Sequence, residues 1–387
     1  MQIIKFNSNE LTPALAMVSS VVLTKNSLPI LANVRIETKD DGMGGTMVEL
    51  MTSDSETWLQ WRTSITEADK DIIICVDVKS LLQALRNLDG KQVTMEIDND
   101  KHIVVCKYDY GKFSLPYDDA AEFPMPAISA DNGNEKLIDA RKILTAIERA
   151  AYATANDELR PVMNGVRFEF FKDGMVAVAS DGHKLSKYKD LTITSDVDES
   201  MPVCGFTMPK KPCNTLMNVL ANTIAGDVKL VFNDRCFTVN NKQFKLTARL
   251  IEGRYPNYNS VIPKNNDKII NIDKGAFVSA MKRVLPMGNA SSELVSLTFN
   301  QGVMTVAAED FDFSKSASEN VTCDYNEPSS LAIGFKGSLL LQLLQNISTN
   351  VVRMELSDPS RAGLITENIT NNEYEYISLI MPMLINN

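Results

Sequence analysis

One pattern recurs three times along these 387 residues and constrains the fold more than any other feature. LPILANVRIE (Leu28 to Glu37), RPVMNGVRFE (Arg160 to Glu169) and SELVSLTF (Ser292 to Phe299), aligned on Val34, Val166 and Val295, return at a period of about 130 residues. Each reads as an alternating strand. Upstream of each lies a helical stretch with an N-cap residue: NSNELTPALAMVSSVV after Asn7 or Ser8, DARKILTAIERAAYAT from Asp139, and DKGAFVSAMKRVL from Asp273. Downstream, a second helix-then-strand unit also appears three times, in VDVKSLLQALRNLDGKQVTMEID, TMPKKPCNTLMNVLANTIAGDVKLVFN and GFKGSLLLQLLQNISTNVVRMELSD. Leu81, Leu82, Leu85 and Leu88 mark the buried face of the first of these helices. Each third closes with strands in which Ser114, Leu246 and Ser378 are evenly spaced.

A repeat of this length is a domain, not a solenoid turn. Two helices against many antiparallel strands is an α+β arrangement, so the sequence predicts three tandem similar domains, residues 1–127, 128–263 and 264–387. The joints fall in loops near Pro124 to Asn134 and Pro263 to Asp267, rich in Pro, Asn, Asp or Gly. With 44% hydrophobic and 23% charged residues the chain reads as globular. MQIIKFN lacks the basic flank and apolar run of a signal peptide, and no run reaches membrane-spanning length, so a cytoplasmic location is expected.

Catalytic signatures are sparse. There is no GxxxxGK[ST] to wrap a phosphate, and DGMGG (Asp41 to Gly45) has the character of a hairpin turn. HExxH is absent and there are only two histidines, His102 and His183, so no metal and no cofactor is expected. The acidic runs DNDK (Asp98 to Lys101), SDVDES (Ser195 to Ser200) and EDFD (Glu309 to Asp312) read as solvated turns. Six scattered cysteines (Cys75, Cys106, Cys204, Cys213, Cys236, Cys323) form no CxxC pair and read as reduced, buried small hydrophobes. ASDGHKLS (Ala179 to Ser186) gathers a hydroxyl, a carboxylate and an imidazole. That invites a hydrolase reading through Asp181 and His183, although triads are assembled from distant segments and sequence neighbours seldom point at one another.

The net charge of −10 argues against nucleic acid only weakly, because a mean says nothing about distribution. Cations concentrate on the helical segments: Lys79 and Arg86, then Arg141, Lys142 and Arg149, then Lys210 and Lys211, then Lys274, Lys282 and Arg283. Two readings stay open. The cations can simply solvate exposed helix faces, or, were all the helices to share an interior, they would line a positive channel for a duplex.

Beyond these residues, LPILANV (Leu28 to Val34), the MNG of PVMNGVRFE (Met163 to Gly165), ASDGHKLS, EGRYPNYNSVIP (Glu252 to Pro263) and MPM (Met381 to Met383) occur in an order that resembles the bacterial β sliding clamps over essentially the whole chain. The resemblance implies a DNA-clamp fold of three similar domains, closing as a head-to-tail homodimeric ring with helices inside. It implies a non-catalytic processivity subunit that encircles double-stranded DNA without reading sequence, and that holds the replicative polymerase, the clamp loader and repair proteins by short linear motifs. The cleft it implies comprises Met163, Ser180, Gly182, His183, Lys184, Leu185, Pro256, Val261, Leu379, Met381 and Met383; the DNA-facing set is Lys25, Lys79, Arg86, Arg141, Lys142, Arg149, Lys210, Lys211, Lys282 and Arg283. Phe113 and Leu115 would meet a patch containing Met287 at the seam between subunits. Lys184 stands where arginine is common, Ser260 replaces an arginine, and Leu384 follows MPM where a basic residue is frequent, so the cleft rim should be less basic than usual. The hydrolase reading and a repeat-domain scaffold without DNA binding remain the alternatives.

Overall fold

All three repeats take one element order in a computed structural model of the chain, which describes residues 2–40, 45–194, 204–223, 225–367 and 373–385. A strand leads into a helix, a short 3-10 turn follows, then four strands, joined in the first repeat by a two-residue fifth, Glu67–Ala68, and then a second helix and three closing strands. The helices are α1 (Ser8–Ser19), α2 (Val78–Leu85), α3 (Ala140–Ala151), α4 (Lys210–Ala221), α5 (Lys274–Val284) and α6 (Gly337–Gln345). Residues 41–44 of DGMGG and the whole of SDVDES lie outside the described residues. The strands flanking DGMGG, Asn33–Asp40 and Thr46–Ser53, pair antiparallel with Asp40 opposite Thr46.

Local chemistry explains where the elements begin and end. Asn7 caps α1 in a reciprocal box, its side chain accepting from Asn9 N–H while Glu10 reaches back to the Asn7 N–H, and Leu11, Ala14, Leu15 and Val18 form the buried face. Asp77 and Asp273 cap α2 and α5 in the same role. α2 ends at Leu85, one turn earlier than the leucine spacing suggests. Leu88 belongs to the following turn, donating its N–H to Leu85 O, and Gly90 then takes a positive φ of 67°. The repeated motifs LPILANVRIE and RPVMNGVRFE are likewise not strands throughout. Pro29–Ala32 and Pro161–Asn164 are 3-10 turns with proline in the first turn, and the strands start at Asn33 and Gly165.

The chain folds into two compact units, Met1–Leu144 with Lys211–Leu250, and Thr145–Lys210 with Ile251–Asn387, so the central repeat is shared between them. In the first unit one antiparallel sheet of thirteen strands takes in the first repeat and four strands of the central one. The two join where Phe244–Arg249 pairs with Thr57–Ser64, Leu246 opposite Leu59. The loop after Pro124 is no free linker: Trp58 Nε1 donates to Pro124 O at 2.8 Å, Asn233 Nδ2 to Ser129 O at 2.9 Å, and Phe123 and Ala130 are buried. Lys211 lies in this unit, half-buried, with its ammonium on Asp54 and on Val21 O. Five of the six thiols are buried and Cys204 is half-buried; burial pushes Cys75 and Cys106 up to about 12. Asp310, read as solvated, is buried.

In the second unit an eight-stranded sheet joins four strands of the central repeat to four of the third through Lys184–Asp190 and Tyr374–Ile380, with Ser186 opposite Ser378. A four-stranded sheet runs Lys315–Thr322, Val303–Asp310, Leu294–Asn300, Leu331–Lys336. Behind this second junction sits a buried polar network. Arg149 Nη1 donates to Glu367 Oε1 at 2.7 Å and to Asn346 O at 2.6 Å, and its guanidinium lies 4.7 Å from the Tyr376 ring centroid. Glu367 also accepts from Ser348 N–H, Ser348 Oγ and the Tyr374 hydroxyl. Arg149 is therefore a structural tie between α3 and the third repeat, not a group that can face DNA.

Burial alone would raise the Glu367 carboxyl, but hydrogen bonds from Tyr374 and Ser348 and the Arg149 charge outweigh it and hold it below 4.5. A carboxylate depressed in this way stabilises the fold above its unfolded value, and that contribution is lost as pH falls through the folded value. Glu367→Gln should thus lower stability by about 3 kcal/mol near neutral pH, since it strands a buried guanidinium. The gap between variant and wild type, followed by thermal unfolding, should narrow as the buffer is taken below pH ~4. A gap independent of pH would show that the pair is not ionised in the fold.

Candidate functional site

The DGHK turn is built by its own side chains. Between strands Gly174–Ser180 and Lys184–Asp190, Ser180 Oγ donates to Lys184 O at 2.8 Å and accepts from Gly182 N–H. Asp181 Oδ1 accepts from the N–H groups of His183 and Lys184, both at 2.8 Å, and Oδ2 from Lys184 Nζ at 2.7 Å. Gly182 holds φ +90°, a conformation open to glycine and strained for other residues. Burial would raise the Asp181 carboxyl, but the Lys184 ammonium and the two backbone donors keep it below its usual value.

That geometry decides what the segment can do. Asp181 meets His183 through the backbone N–H, not the imidazole, and its oxygens are occupied within the turn. Ser180 is likewise engaged with the main chain. A nucleophile, base and orienter in series is not assembled here. His183 is exposed, and its carbonyl accepts Met381 N–H at 2.8 Å, which ties the turn to the C-terminal segment.

Beneath the turn lies an apolar cluster of Val176, Val178, Leu185, Tyr255, Tyr258, Ala362, Leu364 and Leu379, with Val162 and Ile262 packed against it. Of the expected cleft residues, Leu185 and Leu379 form its floor, adjacent across the strand pair. Pro256, Val261 and Met381 remain exposed at the surface, Val261 at 56% and Met381 at 43%. Met163 is buried on the 3-10 turn, its carbonyl accepting Ala155 N–H, next to Val162. Lys184 is corrected: it is 5% exposed and its ammonium belongs to Asp181, so it supports the turn instead of facing a ligand. Met383 is half-buried and pairs its backbone with Gly334, on the four-stranded sheet. Sequence reasoning missed Tyr255 and Tyr258, although both lie inside the quoted EGRYPNYNSVIP. It also missed Ala362 and Leu364, for which no local signal exists.

Among the expected DNA contacts, Lys25, Lys79, Arg86, Arg141, Lys210, Lys282 and Arg283 are exposed, and Lys142 is half-buried. Arg283 forms an ion pair with Glu319. Phe113 and Leu115 are half-buried on strand Gly111–Asp119, and Met287 is 40% exposed after α5.

Comparison with known proteins bears on the fold and the family. The N-terminal, central and C-terminal domain models of the DNA polymerase III beta subunit match residues 2–128, 137–257 and 259–384. The beta sliding clamp of Pseudomonas putida is 27% identical over 372 residues, covering 95% of this chain and 96% of that one. That of Caulobacter vibrioides is 26% identical over 365 residues, covering 92% and 94%. Among solved structures, the DnaN sliding clamp of Bartonella birtlesii bound to griselimycin superposes with a TM-score of 0.89 at 25% identity, over 99% of this chain and all of that one. The griselimycin-bound Pseudomonas aeruginosa clamp gives 0.89 at 24% identity, over 99% and 100%. With all three domain models matched in order and the three-domain α+β fold shared throughout, the chain belongs to the DNA polymerase III beta subunit family, the bacterial beta sliding clamps.

Proposed function

We propose that two copies of this chain close head to tail around duplex DNA and that the apolar cleft beside His183 tethers the replicative polymerase, the clamp loader and repair proteins. The observation that carries the ring is an unfilled position in the strand order. The last strand of the central repeat pairs with Thr57–Ser64 of the first, and the last strand of the third pairs with Lys184–Asp190 of the central repeat. By the same rule the last strand of the first repeat, Gly111–Asp119, should pair with Lys315–Thr322, the matching strand of the third. Among the described residues Lys315–Thr322 pairs only with Val303–Asp310, and Gly111–Pro116 only with the strand before it. Two such edges on one chain are complementary to those of a second copy, and joining them closes a ring and removes both hazards. Phe113 and Leu115 lie on the first of these strands, and Met287, in the 3-10 turn after α5, would meet them across the seam.

The domains on this reading are residues 1–127, 128–263 and 264–387, close to the breaks between the matched family models. The subunit is non-catalytic and belongs to the polymerase's cytoplasmic machinery; none of the described helices is long and apolar enough to cross a membrane. Its hold on DNA is topological. Exposed Lys and Arg on the helices make interchangeable phosphate contacts that permit sliding, while the cleft keeps a partner at high local concentration. The hydrolase reading through Asp181 and His183 has no assembled site to support it.

In solution the chain should run near twice 42.9 kDa, and Phe113→Asp should return it to a single subunit, read by light scattering. With a cognate loader and ATP the wild type should stay on nicked circular DNA and leave linear DNA; equal retention on both would overturn the topological mechanism. In the cleft, Met381→Ala and His183→Ala should each weaken partner-peptide binding by about 1 kcal/mol or more, followed by fluorescence polarisation. Unchanged affinity in both would remove that face from the site.

A further inference from the structure

We infer that a polar pocket beside the cleft, centred on Arg254 and Arg167, receives a carboxylate of the bound peptide and sets a preference for acidic partners. This rests on the cleft reading and deepens it. The pocket is a cavity of about 420 Å³ whose wall includes Arg167, Glu169, Arg254, Tyr255, Asn257 and Tyr258. Tyr255 and Tyr258 also belong to the apolar cluster with Leu185 and Leu379, and the exposed Pro256 borders the cavity as well. Two tyrosine rings therefore separate the hydrophobic floor from a charged recess, so a peptide anchored on the floor has the recess within reach of its flank.

The chemistry of the recess favours an anion. Glu169 is already neutralised inside it: Arg167 Nε donates to one oxygen at 3.2 Å and the Tyr258 hydroxyl to the other at 2.7 Å. Arg254 is exposed and pairs with no carboxylate among the described residues. The Tyr255 hydroxyl is buried, on a side chain only 8% exposed, and lies against the Ser180 backbone N–H with no acceptor for its own proton. Unspent donors and an excess of positive charge around one satisfied carboxylate suit a second carboxylate, which a guanidinium can grip with two parallel hydrogen bonds. The recess would also replace basic character that the rim lacks at Ser260 and Leu384.

A carboxylate could come from an acidic side chain flanking the apolar anchor or from the peptide's own C-terminus. The test uses fluorescein-labelled synthetic peptides that share a Leu-Leu anchor. One set carries Asp-Asp or Asn-Asn on either side of the anchor in turn with an amidated end, and one ends in a free carboxylate directly after the anchor. Each is titrated by polarisation against the dimeric wild type and Arg254→Gln. The expected result is about fivefold tighter binding of one carboxylate-bearing peptide at low salt, an advantage lost at high salt and in Arg254→Gln. The neutral peptide should bind both proteins equally, which shows that the variant is folded. An advantage confined to the Asp-Asp peptide identifies the side chain as the source, and one confined to the free end identifies the terminus. Equal binding of charged and neutral peptides to the wild type overturns the carboxylate pocket and leaves the cleft standing, as does an advantage that survives in Arg254→Gln. Failure of every peptide to bind overturns the cleft reading itself, and the pocket with it.

Discussion

The structure depends on strand edges being paired between repeats. An unprotected edge carries a row of unmet N–H and C=O groups, and each repeat here ends in a strand that by itself would present one. The chain resolves this twice, pairing the last strand of the central and of the third repeat with the third middle strand of the repeat before it: Phe244–Arg249 on Thr57–Ser64, and Tyr374–Ile380 on Lys184–Asp190. The two sheet junctions have the same logic but different fillings. Leucines face each other in the first, whereas Ser186 and Ser378 face each other in the second, where Ser186 Oγ donates to Arg149 O and Tyr152 bonds both Tyr376 and Ser378.

The same pairing builds the cleft. Residues 183 and 381 are distant in sequence, yet the antiparallel register from Lys184–Ile380 to Asp190–Tyr374 brings the DGHK turn and the MPM segment to one end of the strand pair. Leu185 and Leu379 become neighbours as a consequence, and the His183 carbonyl receives the Met381 N–H. On the proposed reading the peptide-binding surface is thus a by-product of closing a sheet. It is also why the hydroxyl and carboxylate of ASDGHKLS are spent within the turn: a four-residue reversal between two central strands needs its side chains to satisfy main-chain groups that cannot reach the ladder.

How much of this was legible follows from the range of each interaction. Caps at Asn7 and Asp273, the triplication and the α+β class are set by residues a few positions apart, and the sequence displays them. The 3-10 turns at Pro29 and Pro161 were misread as strand because apolar residues in a short turn mimic alternation. Lys184 takes its expected place in the cleft from the resemblance, and Arg149 its place among the DNA contacts from its charge on a helix; neither reading sees the partner, since Glu367 is far away in sequence and Asp181, though close, is recognisable as a partner only once the turn is built. Ala362 and Leu364 entered the cluster through register alone, which local spacing does not encode.

A cleft of this design should bind many partners weakly, for reasons of packing. Its floor is finished before any ligand arrives, since Leu185 and Leu379 are already 1% and 3% exposed, so a peptide gains little by burying them further. What it can newly cover is the rim, Val261 and Met381, with methionine's three rotatable bonds adapting to different side chains. A rigid floor limits the entropy cost of binding, and an adaptable rim limits specificity. Affinity would then stay in a range that lets one partner leave as another arrives, which is what the proposed ring, held by topology, would require of its tether.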